Sequence, residues 1–402
     1  MSGREPRRLV VGGHADADRY RASWLESMEP YWHIVARSAE LGPGSVVPVD
    51  LLGRPFALWR GGDGSLGAVA RHCPHRGVDL SLGEVDPQGC LVCPYHSWSF
   101  RSDGSCASIP QLAEGRVLPG ADTVAARVAE AHGFVWMCVV APGEERRSFP
   151  SFDVLDAGTH WFWMGEPMLW NAQCLRQVEN FCDVTHFSIT HLDTFGNPAG
   201  VRLEPTRAER DGWSVRFDFD YPVFDPNVAP SQDRVSFPGR FEYDVELPCS
   251  VFLGGASGPG SVIFIHSTPL DVDRTMVFWG CAFPLDVAID DAQYAAIEEA
   301  VWAPDRAMVQ SQDPIGLPLG SRDEMHLPMD RFALAYRRAL ADLGVPSSIP
   351  HNAGRNAVQL NAYIGARPCV TSSLCPKPIS TSISRRACGR RRWPIWRRST
   401  TW

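Results

Sequence analysis

The sequence predicts an α+β protein with two domains, and three observations support this. Short β-like runs separated by Gly, Asp and Pro turns fill residues 29–145, which predicts an N-terminal all-β domain. Longer alternating runs accompanied by helical patterns fill residues 146–350, which predicts an antiparallel sheet with helices. A chain of 402 residues, 44% apolar and 21% charged, is long enough to form two cores of the usual globular composition.

In the first region the elements are short. Residues 1–28 are polar and are predicted to be a loosely held lead-in, after which YWHIVA (31–36) predicts a strand. Residues 45–73 contain two or three short strands, and residues 98–110 form a strand–turn–strand unit around Asp-Gly. A buried strand within 132–142 closes the domain, so we expect a small antiparallel sandwich.

The second region begins after a predicted linker over residues 148–158. Residues 170–191 predict a helix with an apolar stripe, and residues 213–284 contain the alternating runs of a large antiparallel sheet. Residues 290–312 and 329–344 are both predicted to be helical, the second ending at a glycine.

The tail, residues 351–402, has no periodicity. Residues 367–402 contain nine Lys or Arg and no acid, so the preceding residues carry 29 Lys and Arg against 46 Asp and Glu. A disordered extension is expected, or a stretch read out of frame in a GC-rich gene; a basic peptide for membrane or nucleic acid is the alternative. The acidic body argues against nucleic acid as a partner.

Composition also predicts the compartment. No apolar run is long enough to span a bilayer, and the polar start MSGREPRR lacks the core of a signal peptide. Twelve cysteines in a chain of this length do not form a dense disulfide framework. We therefore expect a cytoplasmic protein without a membrane partner.

Two Cys/His pairs form the first metal motif. Cys73 and His75 are a C-x-H pair, and Cys93 and His96 are a C-x-x-H pair seventeen residues further on. Two thiolates and two imidazoles can hold a [2Fe–2S] cluster, with the cysteines on one iron and the histidines on the other. A Cys2His2 zinc site is the alternative, although its pairs are rarely spaced in this way.

A second constellation follows the linker. Asn180, Asp183, His186 and His191 form N-x-x-D-x-x-H-x-x-x-x-H. Two histidines and one carboxylate on one face of an Fe(II) ion leave positions open for dioxygen and substrate. Five residues are about 140° on a regular helix, so a π-bulge is expected to align the two histidines. Two ordinary histidines are the alternative.

The first motif resembles the Rieske cluster motif. The respiratory type adds two cysteines that form a disulfide, and Val78 and Tyr95 stand at the corresponding positions here, so the resemblance is to the ferredoxin and oxygenase types. With the second constellation, the chain resembles Rieske non-haem iron oxygenases of the vanillate O-demethylase and toluenesulfonate monooxygenase type. Residues 305–312, DRAMVQSQ, then imply Asp305 as the third iron ligand, despite Pro304 before it; Asp313 is the alternative.

The resemblance implies a Rieske domain followed by a helix-grip catalytic domain, and a [2Fe–2S] cluster with mononuclear Fe(II). It implies a terminal oxygenase, a monooxygenase or dioxygenase of aromatic compound metabolism, that takes electrons from a separate reductase or ferredoxin. The substrate is expected to be a hydrophobic or aromatic small molecule that is hydroxylated or oxidatively demethylated, in a pocket lined by residues such as Phe217, Phe219, Phe252 and Phe264. A Rieske ferredoxin-type electron carrier is the rival function.

The resemblance also gives Asp183 a role beside Asn180. In the family this aspartate links an iron histidine to a cluster histidine of the next subunit in a head-to-tail homotrimer. Carried over, Asp183 links His186 to His75 or His96 of a neighbouring chain. The alternative is a carboxylate that only orients His186.

Overall fold

The computed structural model describes residues 14–226 and 232–347. These residues form an N-terminal region of two antiparallel sheets and a C-terminal region of one large antiparallel sheet with helices. The predicted α+β class is confirmed.

The N-terminal region contains a six-stranded sheet in the order β1-β10-β9-β4-β3-β2 and a four-stranded sheet in the order β5-β6-β7-β8. Every pairing in both sheets is antiparallel. The elements are α1 (His14–Met28), β1 (His33–Arg37), β2 (Val46–Leu51), β3 (Arg54–Arg60), β4 (Leu66–Ala70), β5 (Glu84–Val85), β6 (Leu91–Val92), β7 (Ser99–Phe100), β8 (Cys106–Ser108), β9 (Ala125–Ala131) and β10 (Phe134–Cys138).

The C-terminal sheet has the order β11-β18-β17-β16-β15-β14-β13, with β12 also paired to β18. Both predicted late helices are present, as α5 and α6. The elements are α2 (Asp153–Asp156), β11 (His160–Met164), β12 (Met168–Trp170), α3 (Cys174–Phe181), α4 (Phe187–Thr190), β13 (Glu209–Asp211), β14 (Ser214–Phe224), β15 (Ser236–Glu246), β16 (Ser250–Gly254), β17 (Val262–Asp271), β18 (Arg274–Pro284), α5 (Asp291–Gln310) and α6 (Arg331–Asp342).

Successive side chains along the strands of the C-terminal sheet point to opposite faces, and both faces are buried. Ile263 and Ile265 of β17 join the core beneath the helices. Phe264, between them, packs with Phe134 and Trp136 of the N-terminal region. One face of the sheet therefore packs on α3, α5 and α6, and the other packs on α2 and on strands β1 and β10.

The predicted loose lead-in is wrong over α1. Tyr20, Trp24 and Met28 are buried, and they join the core that contains Trp170. Their spacing of four residues puts them on one helical face, which outweighs the polar average of the segment. Residues 1–13 lie outside the described residues.

The predicted linker over 148–158 is more than a connection. It contains α2, and Phe152 is buried against Phe162 and Phe252.

The prediction for residues 351–402 lies outside the described residues. Over residues 14–226 and 232–347, none of the helices has the length and apolar content that a membrane crossing needs.

Candidate iron centre and cluster loops

The two histidines of the second motif lie at the ends of one helical turn. Helix α3 stops at Phe181, and α4 then runs between His186 and His191. The chain turns back at once, because the N–H of Gly196 donates to the His191 carbonyl at 2.8 Å. A Cβ at Gly196 would lie 2.2 Å from the Phe187 carbonyl oxygen, so only glycine fits. The expected π-bulge is therefore wrong: His186 and His191 are the two caps of one short α-helix with ordinary bonds over four residues.

Asp305 completes the group from α5. Its helix is held by Trp302, one turn earlier, whose ring stacks on Phe181 at 5.3 Å. Pro304 lies inside α5 without displacing Asp305. The sequence alternative, Asp313, is exposed and lies beyond the end of α5.

The three ligand atoms form a nearly equilateral triangle. Nε2 of His186 lies 3.0 Å from Nε2 of His191 and 3.4 Å from Oδ1 of Asp305, and His191 Nε2 lies 3.2 Å from the same oxygen. Three metal bonds of about 2.1 Å at right angles place their ligand atoms about 3.0 Å apart. The triangle therefore fits one face of a six-coordinate iron. Asp305 Oδ1 is buried and has no hydrogen-bond donor, as a metal ligand requires.

The opposite charges of His186, His191 and Asp305, called the triad below, stabilise one another. Burial alone would lower the pKa of His186, but the neighbouring carboxylates Asp183 and Asp305 raise it to about 9. Burial would raise the pKa of Asp305, yet His186 and His191 hold it below its usual value. The buried Asp305 carboxylate is therefore stabilised by positive charge, which a bound divalent cation would supply.

Asp183 lies beside the triad, as predicted. His186 Nδ1 lies 3.1 Å from Asp183 Oδ2, and the other carboxylate oxygen accepts the N–H and hydroxyl of Thr185, both at 2.8 Å. The Asp183 side chain is 38% exposed, so one edge is open to solvent. Asn180 contributes only its carbonyl, which accepts the Asp183 N–H at 3.0 Å, and its side chain does not line the cavity described below.

The two loops of the first motif share one backbone pattern. In each loop the N–H of the cysteine donates to the carbonyl five residues later, at 2.9 Å for Cys73 and 2.8 Å for Cys93. The N–H four residues later donates back to the cysteine carbonyl, at 2.8 and 3.0 Å. The residue at that fourth position has a positive φ, 67° at Gly77 and 58° at Ser97. The chain thus builds the same turn twice.

The side chains of these loops converge. The rings of His75 and His96 have centroids 4.5 Å apart, and His75 stacks on Trp98 at 4.6 Å. Burial and the adjacent Cys93 thiol raise the pKa of Cys73 to about 11. Nδ1 of His75 is buried and has no hydrogen-bond partner, which leaves it free for a metal.

The loops do not fit a single zinc ion. A tetrahedral zinc with bonds of about 2.0–2.3 Å holds its ligand atoms within about 4 Å of one another. Over the described parts of the chain, the only group of three or more potential ligands that meets within 4.8 Å is the triad. The wider spread at the loops suits a two-iron cluster, whose ligands are shared between two metals.

A cavity of about 440 Å³ opens over the triad, within the volume range of small-molecule sites. Its wall is formed by the α4 region, the sheet and α5, and is predominantly aromatic and aliphatic. The aromatic side chains on it include Phe181, Phe187, Phe195, Phe224, Phe241 and Phe283.

The cavity corrects one prediction and adds a residue. Phe217, Phe219, Phe252 and Phe264 do not line it; Phe217 packs on α6, and Phe264 faces the N-terminal region. Among the polar groups on the wall is Glu298 of α5, which the sequence analysis missed. Its one signal is a spacing of seven residues from Asp305, two helical turns on the same face.

Two family models match the chain in tandem. The Rieske [2Fe-2S] domain matches residues 31–126, and the vanillate O-demethylase oxygenase C-terminal domain matches residues 170–345. The chain belongs to the Rieske non-haem iron oxygenases, and its cofactors are a Rieske [2Fe–2S] cluster and a mononuclear iron.

Individual relatives agree with the family models. The chain is 28% identical to methylxanthine N1-demethylase NdmA of Pseudomonas putida over 79% of this chain and 90% of that protein. It is 26% identical to chlorophyllide a oxygenase of Chlamydomonas reinhardtii over 78% of this chain but only 48% of that protein. A solved structure of Pseudomonas putida CBB5 NdmA with caffeine matches with a TM-score of 0.70 and 26% identity, over 79% of this chain and 92% of that one.

Proposed function

We propose that His186, His191 and Asp305 hold the catalytic Fe(II), and that Cys73, His75, Cys93 and His96 hold the cluster, of a terminal oxygenase for a small aromatic or hydrophobic molecule. The observation that carries this is the triangle of ligand atoms, 3.0 to 3.4 Å on a side, at the base of an apolar cavity. When bound, the two metal groups supply electrons and oxygen activation, and the oxygenase family draws on O2 and a reductase or ferredoxin.

The chain's own residues position and shield the reaction. Asp183 accepts the Nδ1 proton of His186, so it fixes the tautomer that leaves Nε2 free. Thr185 fixes the Asp183 carboxylate in turn. The aromatic wall excludes water and holds an apolar substrate against the triad.

For the reaction, we propose hydroxylation or oxidative demethylation of an aromatic or hydrophobic compound. NdmA is a methylxanthine N1-demethylase whose structure was solved with caffeine, which supports an aromatic ring near the size of a purine. The cavity volume of about 440 Å³ accommodates such a compound.

We also propose that Asp183 bridges subunits in a head-to-tail homotrimer, linking His186 to His75 or His96 of the next chain. Two features support it: the Asp183 carboxylate is partly exposed, and both cluster histidines lie at the surface end of their loops, next to exposed Pro74 and Tyr95. Asn180 is proposed to support this segment through its bond to the Asp183 N–H. A cytoplasmic location stays a prediction.

Iron analysis of the purified protein tests the assignment. An oxygenase holds three irons per chain, an electron carrier two, and a zinc site none. Oxygen uptake that depends on an added aromatic compound and on an external reductase then tests the activity. Two irons per chain with no substrate-dependent uptake would refute the proposal in favour of an electron carrier.

A further inference from the structure

The cavity wall contains an acid that the iron centre does not use. Glu298 lies on α5 and is only 7% exposed. It follows Tyr294 by one turn and precedes Asp305 by two, so these side chains share the helix face that lines the cavity. Seven residues of α-helix span about 10 Å, which separates the Glu298 carboxyl from the triad by about the length of a fused bicyclic ring.

Within residues 14–226 and 232–347, Glu298 has no cationic partner on the cavity wall. Among the described residues on the cavity wall, the acids are Asp290, Glu298 and Asp305, and there is no Lys or Arg. The only basic side chains there are His186 and His191, which belong to the triad. The other polar neighbours of Glu298 include Tyr294, Trp302 and the Cys281 thiol.

A buried carboxyl without a cation costs stability. Burial raises the pKa of Glu298 to about 7, because Tyr294 and Trp302 lower it only in part. A buried carboxyl of this kind that faces a cavity is a candidate for ligand binding, because a bound cation or hydrogen-bond donor would supply the missing partner. The other side-chain acceptors on this end of the wall are Asp290, which accepts the N–H of Gln293 at 3.0 Å, and the hydroxyls of Ser257 and Tyr294, which bond to each other at 2.9 Å.

We propose that Glu298 is the polar anchor of the substrate: it accepts a hydrogen bond from the ring N–H or ammonium group of an aromatic nitrogen compound whose reacting carbon lies at the triad. The same wall disfavours aromatic acids, since a substrate carboxylate would lie among three protein carboxylates without an Arg or Lys. This inference rests on the proposed function for the position of the reacting carbon.

Binding of three matched probes tests the anchor. They share a naphthalene ring and differ in charge: 2-naphthylmethylammonium, 2-naphthylmethanol and 2-naphthoate. Dissociation constants are measured by calorimetry on the metal-loaded full-length protein at pH 8, without oxygen so that no turnover occurs. We expect the ammonium probe to bind about tenfold more tightly than the naphthoate, because the ammonium donates a charge-assisted hydrogen bond to Glu298 whereas the naphthoate meets like charge on the wall.

The variant Glu298→Gln keeps the shape and removes the charge. It should weaken ammonium binding about tenfold and change naphthylmethanol binding less than twofold. Glu299→Gln is the matched control, because Glu299 is the next residue of α5, is exposed, and accepts a hydrogen bond from Arg306 at 3.0 Å. It should leave all three constants unchanged.

Either of two outcomes would overturn the anchor: equal binding of ammonium and naphthoate to the wild type, or ammonium binding to Glu298→Gln within twofold of the wild type. The first comparison needs no variant, so it stands even if Glu298→Gln folds poorly. Iron content of the same samples separates the two proposals. A charge preference without a third iron refutes only the oxygenase assignment, and three irons without a charge preference refute only the anchor.

Discussion

The two metal regions of this chain are built in opposite ways. The cluster loops take all four proposed ligands from residues 73–96, and each loop is held by its own backbone hydrogen bonds. The triad takes His186 and His191 from one helical turn. Asp305 comes from α5, which follows strands β13 to β18 in the sequence. One site is a local structure, and the other exists only when α5 packs on α3.

The two sites also differ in their exposure to solvent. The loop tips at Pro74, Gly77, Tyr95 and Ser97 are exposed, so backbone geometry rather than packing decides their shape. Asp305 and His191 are buried, and their positions depend on the aromatic packing around Trp302. We therefore expect the two sites to fail independently, and for different reasons.

The largest expected effect comes from removing one ligand at each site. Asp305→Ala should lose the mononuclear iron and keep the visible absorbance of the cluster, and substrate-dependent oxygen uptake should fall by more than about a hundredfold. Cys93→Ala should lose the cluster and keep the single iron. Metal analysis and absorbance spectra check both variants. Loss of both metal groups from Asp305→Ala would show that the sites are not independent.

A smaller effect is expected at Asp183, where the two regions are proposed to meet. Asp183→Asn should keep both metal groups and reduce normally at the cluster, while turnover falls by about 10- to 100-fold. Asp193→Asn, an exposed acid in the same segment, is the control and should be active. Near wild-type turnover of Asp183→Asn, or an active protein that sediments as a monomer, would contradict the bridge between subunits.

The third prediction concerns the buried carboxyl of Glu298, which belongs to the cavity and not to the cluster loops. The pKa of Glu298 is raised from 4.5 to about 7, so the folded state holds its proton more tightly than the unfolded state. The contribution of Glu298 to the stability of the wild type therefore decreases as the pH rises from about 4.5 to 7, by at most roughly 3 kcal/mol.

Glu298→Gln removes this penalty. The variant should unfold at the same temperature as the wild type at pH 5 and at a higher temperature at pH 8. Glu299→Gln should not show the difference. Thermal unfolding followed by circular dichroism checks this, and an equal shift at both pH values would mean that the effect of the substitution is not the buried charge.

The smallest expected effect compares the two cluster loops with each other. Gly77 and Ser97 occupy the same positive-φ position, which costs a residue with a side chain about 1 kcal/mol relative to glycine. Ser97→Gly should raise the free energy of unfolding by about 1 kcal/mol, and Gly77→Ser should lower it by a similar amount. Nothing lies within 4 Å of a Cβ built at Gly77, so this pair isolates backbone strain. Denaturant unfolding checks it; changes of the same sign would refute the equivalence of the loops.

The sequence by itself determined what depends on near neighbours in the chain. The Cys/His spacing predicts two loops because each is closed by bonds over four or five residues. The alternating runs predict the large sheet, and the pattern of residues 329–344 predicts α6 with its stop at Gly344, where φ is positive. Asp183 beside His186 follows from a spacing of three residues.

Only the tertiary structure decided what depends on packing between distant segments. It brought Asp305 rather than Asp313 to the two histidines, placed those histidines at the caps of a short helix instead of in a π-bulge, and turned Phe252 and Phe264 to the opposite face of the sheet from the cavity. It also placed Glu298 in that cavity. Periodicity shows that a strand or helix has two faces, but which face meets the site is settled by the contacts of residues far apart in sequence.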